Sequence, residues 1–578
     1  MSDDDIGALM ADYGLTEEQA GAVAEQEDTL LLACPGSGKT RTLVARAVER
    51  VRAERRVVLV TFTRAAAGEM QERIWPQLDR EQRRSIAVGT FDGLVARQAR
   101  RHLQPARPPS VMERNHLINQ TLAAEVANGL TFRDAESLIE EANRRRFPAQ
   151  AGDQASQLWQ VYADLMRAEG LMDFADTARA VLDAMSEGAI RPFGADELLV
   201  DEFQDADTLQ LDWVRAHALN GTTVMAVGDD DQSIYGWRAA MGAPGMKALE
   251  DDLGARRLCL TQCYRCPPEV LEPAVTLVDR NRDRLDKAVV SRMDPGRGEV
   301  AVRYAGSTED ELSVLSDELP RLVGPDETVG VLARTNRIAD DAEMALSAMG
   351  WKLRRLGGRS IWETEGAGLV TALVEAITGA EEVGLRGLGT VGRWLNLPGS
   401  SIEAARRRLA APERAGDDPA NDLEDLVDAI RGRWRLQAAE EPDRVLHGLR
   451  EWLQLQSTGS KGPSYTVVTA QGLLDALLGK EGTLRARFDR AQRAGARSDP
   501  DTDEEGETRL TVATLHSAKG LEFDVVWIFA VDAERVPHKD AADIEEERRL
   551  LYVGMTRAQR VLRLSTSAPS PFLRETGL

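Results

Sequence analysis

Apolar and polar positions change period several times along the chain, and each change marks an element. Thr29 to Ala33 is a short apolar run, which predicts a buried strand. After "CPGSG" the period becomes helical: from Lys39 onward, Leu43, Val44, Ala47, Val48 and Val51 recur at three- and four-residue spacing. Leu198–Val200 and Val224–Val227 predict two further buried strands. Between the "CPGSG" region near 31–40 and Leu198, from about 96 to 185, lies a helical stretch rich in Arg, Glu and Ala; it contains "ANRRRFPAQ" and ends near "GLMDFADTARAVLDAM". A second α/β region starts at about 266. It is interrupted from roughly 376 to 505 by helical stretches such as "DLEDLVDAIRGRWRLQ" and by the acidic run "SDPDTDEEGE", which reads as a solvated connector. Strands and a helix return over 509–578. There is no internal repeat.

The junction between the first strand and the first helix carries candidate chemistry. In "LLACPGSGKT", Gly36 and Gly38 allow backbone N–H groups to turn toward phosphate oxygens; Lys39 would reach the β- and γ-phosphates and Thr40 would ligate Mg²⁺. Ala33 stands where the usual first glycine would be, which is tolerable at negative φ. Such a loop needs an acid for the metal. "DELLVDEFQDAD" places Asp201 and Glu202 at the C-terminal edge of a buried strand, the edge where α/β sheets bind ligands. Asp201 suits the metal, and Glu202 suits the base that orients the attacking water. After the third strand, in "VGDDDQSIYGWRAA", Gln232 sits where a side chain could feel the γ-phosphate. Tyr235 and Trp237 follow; the pattern alone allows core packing or a platform for stacking bases.

The bulk numbers narrow the classes. At 578 residues the chain is too long for one core. No apolar run approaches the roughly 20 residues of a membrane span, and the acidic N-terminus lacks a signal-peptide pattern, so the cytoplasm is the expected location and no membrane partner is expected. The net charge of -23 argues against a general affinity for nucleic acid but can hide a local groove. Arginine carries nearly all the positive charge. Of the four cysteines, Cys263 and Cys266 form a CxxC, with Cys259 upstream and Cys34 in the phosphate loop. A metal site would need a second ligand pair, so free thiols in a reducing compartment are the expected state.

Taken in order, the motifs resemble those of the UvrD/Rep/PcrA family of superfamily 1 DNA helicases. "LTEEQAGAV", "ACPGSGKTR", "VTFTRAAAGEM", "GTFDGL", "VDEFQD", "VGDDDQSIYGWRAA" and "LTQCYRC" are similar to the first motor domain. "VLARTN", "LGGRSIWE", "TLHSAKGLEFDVVWI", "EEERRLLYVGMTRA" and "PSPFLRE" are similar to the second. The family usually has Asn at Arg64, His at Asp92 and Asn at Cys263. The resemblance implies an α/β fold of two RecA-like P-loop motor domains, each with a mainly helical insertion: 1–95 with 186–265 and insertion 96–185, then 266–375 with 506–578 and a short insertion 376–505.

It further implies ATP with Mg²⁺ in a cleft between the motor domains. Gln19 and Tyr264 would hold adenine, and Ala33, Cys34, Pro35, Gly36, Ser37, Gly38, Lys39, Thr40 and Arg41 the phosphates. Glu522 would contact ribose, and Arg265 and Arg557 would act as cationic fingers from the far side. Phe62, Tyr235, Trp237 and Phe572 would stack on single-stranded DNA, while Thr63, Arg64, Arg238 and His516 would touch backbone or neighbouring bases. The implied activity is 3′→5′ translocation and unwinding at single/double-strand junctions, in repair, replication or recombination and with a possible protein partner. The alternative is a DNA-stimulated ATPase subunit that serves a separate effector, such as a nuclease in phage defence, and unwinds poorly alone. The second insertion is short for the family and has "NLPGSS" where many relatives carry a glycine-rich duplex-anchoring turn, which puts duplex grip in question.

Overall fold

The computed structural model describes residues 3–103, 106–150, 152–410, 423–456, 465–495 and 509–578. The acidic run at 498–507 lies outside them. The chain forms two compact units. The first is Met1–Pro268, Val278–Asp294 and Asp543–Tyr552; the second is Glu269–Leu277, Pro295–Ala542 and Val553–Leu578.

The first unit is built on a six-stranded sheet. Its strands are β1 (Thr29–Ala33), β2 (Val57–Thr61), β3 (Ile86–Thr90), β4 (Glu197–Val200), β5 (Thr223–Gly228) and β6 (Arg256–Leu260), in the order β3-β2-β4-β5-β1-β6. All neighbours are parallel. Alternate residues of the central strands enter two cores. Leu30, Leu32, Val58, Val60, Leu198 and Val200 pack on one face, while Leu31, Val57, Leu59, Leu199 and Met225 pack on the other. Burial on both faces is why these strands read as continuous apolar runs. A parallel pair, β7 (Gln262–Cys263) and β8 (Val290–Ser291), lies beyond the sheet.

The first insertion has its own core of Leu117, Ile118, Ile139, Leu158, Tyr162 and Leu171. Its flanking helices, Phe91–His102 and Phe174–Ser186, instead place Phe91, Leu94, Val95, Ala99, Val181 and Leu182 against the central sheet. The helix Phe91–His102 therefore runs through the expected boundary at 95/96.

The second unit repeats the plan with β9 (Glu299–Tyr304), β10 (Val329–Ala333), β11 (Leu353–Leu356), β12 (Leu510–Thr514), β13 (Phe523–Ile528) and β14 (Ala558–Thr566), in the parallel order β11-β12-β10-β13-β14-β9. Its helical insertion gathers residues from Ala367 to Ala491 in one core. The helix Glu365–Thr378 belongs to that core, so it crosses the boundary expected at 376.

Two segments expected in the second region pack in the first unit, and hydrogen bonds give the reason. Asn281 Nδ2 donates to Glu545 O at 3.0 Å, the Arg282 and Asp283 amides donate to the Glu545 carboxylate, and Arg549 Nε donates to Ser233 O at 3.0 Å. These bonds tie 278–294 and 543–552 to the loop after β5.

Candidate functional site

β1 ends at Ala33, paired with Leu260, and Ala33 is not among the positive-φ residues. The chain then turns through buried Cys34 and Pro35. Ser37 Oγ donates to Cys34 O at 2.7 Å, closing the loop on itself. Gly36 at φ +66° and Gly38 at φ +82° take the left-handed conformation that glycine tolerates. Gly38 caps the helix Lys39–Arg52, so the loop's amides and the helix N-terminus form one region of positive potential. Both glycines are also closely approached. A β-carbon on Gly36 would lie 2.5 Å from Arg265 Cβ, and one on Gly38 would lie 2.4 Å from Gln19 Nε2.

Gln19 uses both ends of its amide. Oε1 accepts from the Thr16 amide at 3.0 Å, and Nε2 donates to Ser37 O at 2.8 Å. It thus braces the phosphate loop from the capping box of the preceding helix. Tyr264 N donates to Gly36 O at 3.1 Å and its ring is exposed. Tyr264 and Arg265 therefore stand beside the phosphate loop in the same unit. The expectation that Arg265 approaches from the far side is corrected: it lies at the end of β7, which continues from β6 next to β1. Arg41 is exposed and donates to Gly14 O at 3.3 Å.

β4 delivers Asp201 and Glu202 to the same edge. Glu202 sits at φ 49°, ψ 40°, a left-handed conformation that costs a non-glycine residue about 1–3 kcal/mol and often marks a functional position. Lys39 Nζ lies 3.2 Å from Glu202 Oε1. Burial acts to lower the Lys39 pKa, but the fields of Glu202, Asp229 and Asp201 outweigh it, and the ammonium is held above its ordinary value. Burial, then repulsion from Glu202, raises Asp201 above the usual carboxylate range. Asp201 Oδ1 is buried without a hydrogen-bond partner. An orphaned carboxylate oxygen is costly, and one close to Lys39 and Glu202 at a strand edge fits a hard divalent cation that would take oxygen ligands. Thr40, next to Lys39 at the helix start, is the second candidate oxygen. The donor set present thus suits Mg²⁺.

A hydrogen-bonded chain runs on from Glu202. Gln204 Nε2 donates to Glu202 Oε2, Gln204 Oε1 accepts from the Asp229 amide at 2.9 Å, and Gln232 Nε2 donates to Asp229 Oδ2 at 2.6 Å. Gln204 and Asp229 were not singled out from the sequence, though the acids of "GDDDQ" adjoining Gln232 were the available signal.

The aromatic residues divide. Trp237 is 59% exposed, which excludes core packing for it. Its ring meets Tyr235 edge-on at 6.4 Å, and the Arg238 guanidinium lies 4.5 Å from its centroid. Arg144, from the first insertion, donates to Trp237 O at 2.8 Å and holds the loop in place. Phe62 is half-buried, edge-on to Phe91 at 5.2 Å, and packs against the sheet core. Thr63 caps the helix Arg64–Ile74 by accepting from the Ala66 amide at 3.1 Å, and Arg64 is exposed.

The other predicted residues lie in the second unit. His516 is half-buried and Glu522 exposed. Arg557 is buried; its guanidinium donates to Val553 O at 2.8 Å, to Leu521 O at 3.3 Å and to Thr556 Oγ1 at 3.2 Å. Phe572 is 1% exposed. The expectation that it stacks on a base is corrected, because its ring is packed in the core at the start of the helix Pro571–Glu575.

All four cysteines are free thiols. The Cys266 amide points to Cys263 Sγ at 3.4 Å, so the CxxC is a buried turn. Among the described residues, the one cluster of three or more His, Cys or acidic side chains close enough together to hold a metal ion is Asp229, Asp230 and Asp231. No helix among them is long and apolar enough to cross a membrane.

Two family models match the chain. Residues 15–251 match the UvrD/REP helicase N-terminal domain, and residues 493–568 match the UvrD-like helicase C-terminal domain. DNA helicase II of Escherichia coli is 29% identical over 615 residues, covering 95% of this chain and 84% of the relative. The ATP-dependent DNA helicase PcrA of Leuconostoc citreum is 29% identical over 631 residues, with 96% and 82% covered. The ATP-dependent DNA helicase Rep of Salmonella typhimurium is 26% identical over 601 residues, with 92% and 87% covered.

Proposed function

The chain belongs to the UvrD/Rep family and is an ATP-dependent DNA helicase, and on that footing we propose that it is a 3′→5′ translocase on single-stranded DNA that opens single/double-strand junctions, working in repair, replication or recombination. The observation that carries the reading is the convergence of Lys39, Glu202 and the orphaned Asp201 Oδ1 at the end of β4, beside a glycine-built phosphate loop.

In this reading the amides of Gly36 to Lys39 receive the ATP phosphates and Lys39 moves from Glu202 to the β- and γ-phosphates. Asp201 and Thr40 would hold Mg²⁺, which supplies charge neutralisation on the phosphates. Released from Lys39, Glu202 orients the attacking water and takes its proton. Gln232, held by Asp229, faces the γ-phosphate. Tyr264, with Gln19, lies against adenine, and Arg265 stabilises charge on the transferred phosphoryl group. Gln232 and Trp237 belong to one loop after β5, so the phosphate state can be read out at the aromatic platform. Tyr235 and Trp237 stack on bases without sequence preference, and Arg238, Arg64 and Thr63 contact the strand. The protein works in the cytoplasm.

The test is ATP hydrolysis with and without single-stranded DNA, beside strand displacement from duplexes carrying a 3′ or a 5′ tail. Stimulated hydrolysis with displacement only from the 3′ tail is expected. Displacement from the 5′ tail alone would overturn the polarity, and hydrolysis indifferent to DNA would overturn the coupling.

A further inference from the structure

The three carboxylates of Asp229, Asp230 and Asp231 are buried and close enough together to hold a cation. The cation there is a side chain. Lys287 Nζ lies 3.1 Å from Asp229 Oδ1 and 2.8 Å from Asp231 Oδ2, and it pairs with Asp230 as well; the Lys287 side chain is 2% exposed. Burial alone would lower the pKa of this ammonium, but the three acids outweigh burial and keep it charged. The neighbouring segment supplies the rest of the balance. Arg284 donates to both oxygens of Asp231, at 2.7 and 2.9 Å, and the Leu285 amide donates to Asp230 Oδ2 at 2.8 Å.

Asp229 is where this cluster meets the proposed chemistry. Its Oδ1 faces Lys287, its Oδ2 accepts from Gln232 Nε2, and its amide donates to Gln204, which donates to Glu202. A carboxylate gripped on one oxygen by a buried ammonium has its other oxygen fixed in direction. Without Lys287 the three acids would share one guanidinium, and the loop carrying them would have to open or take up protons.

We propose that Lys287 is a positioning residue for ATP hydrolysis: through Asp229 it fixes the orientation of Gln232, so that its removal slows the chemical step while nucleotide binding is retained. The inference rests on the reading of Gln232 given above. The experiment is a cycle in the full-length protein of Lys287→Met, Gln232→Ala and the double variant, with Lys287→Arg alongside. DNA-stimulated kcat and the KM for ATP are measured after melting curves confirm folding. Lys287→Met is expected to lower kcat by up to roughly 100-fold, the scale of a displaced group remote from the chemistry, with KM little changed. Lys287→Arg should recover part of the loss, and in the Gln232→Ala background Lys287→Met should cost little more. If Lys287→Met does not fold, Asp229→Asn keeps the shape, removes the grip and should reproduce the kcat loss.

A lower melting temperature with kcat unchanged would overturn the inference in favour of a structural ion cluster, as would full additivity of the two losses. Wild-type kcat in Gln232→Ala would instead overturn the reading of Gln232, and the inference with it.

Discussion

Replacing each phosphate-loop glycine by alanine separates two kinds of close approach. At Gly36 the new methyl meets Arg265 Cβ at 2.5 Å, Arg265 N at 3.1 Å and Arg265 Cα at 3.4 Å. These atoms are backbone or attached to it, so the turn carrying Tyr264 and Arg265 must move. The left-handed conformation costs alanine about 1–2 kcal/mol, and forced overpacking adds about 1–3 kcal/mol. At Gly38 the methyl meets only Gln19 Nε2, at 2.4 Å. That amide can swing away for the loss of one hydrogen bond, about 0.5–1.5 kcal/mol, on top of a similar backbone term. Gly36→Ala should therefore lose roughly 2–5 kcal/mol and Gly38→Ala about 1.5–3.5 kcal/mol, the smaller of the two. In a Gln19→Ala background, Gly38→Ala should cost only the backbone term. Urea unfolding of the variants, compared as differences, gives the energies. ATP hydrolysis gives the consequence, with Gly36→Ala the more damaging because it displaces Arg265. Equal losses at the two positions, or a loss below about 1 kcal/mol at Gly36, would refute the packing argument.

Glu202→Gln should abolish DNA-stimulated hydrolysis while ATP still binds, measured by steady-state turnover and nucleotide titration; substantial turnover would remove Glu202 as the base. Trp237→Ala should weaken DNA stimulation of hydrolysis more than it weakens ATP affinity, and unchanged stimulation would reduce the exposed ring to a surface residue. His217 bears on pH. Its Nδ1 faces Trp213 O at 2.8 Å and its Nε2 accepts from the Phe193 amide at 3.2 Å, so the ring is neutral; burial pushes its pKa down to about 4. Between roughly pH 6.5 and pH 4 the unfolded chain takes up a proton that the folded one refuses, and about 3 kcal/mol of stability is lost as pH falls through that window. Denaturant unfolding across it should show a shallower loss in His217→Gln than in the wild type.

The legible parts of the molecule were those in which residue type and local backbone are coupled. Leu31 and Leu199 read as buried strands because both faces of the sheet are covered. Gly36, Gly38, Lys39 and Asp201 read as a phosphate and metal site because a strand end and a helix start confine what such residues can do. Phe572 reads as a stacking residue only through the resemblance, and a single aromatic residue carries no sign of which way it packs. The insertion boundaries at 95/96 and 376 were blurred because one helix serves two cores, as Phe91–His102 does. Lys287 and Asp229 escaped notice for a third reason. They are 58 positions apart, joined only by a buried ion pair, and no local periodicity reports such a contact.

Movement along one strand in one direction is what the proposed chemistry must produce. The direct measurement is single-turnover translocation on single-stranded oligonucleotides of increasing length, with a fluorophore at either the 5′ or the 3′ end. A lag before the signal that grows with length for the 5′ label and is absent for the 3′ label, and that disappears in Glu202→Gln, is the predicted result. A length-dependent lag at the 3′ label, or none at either end despite DNA-stimulated hydrolysis, would contradict it.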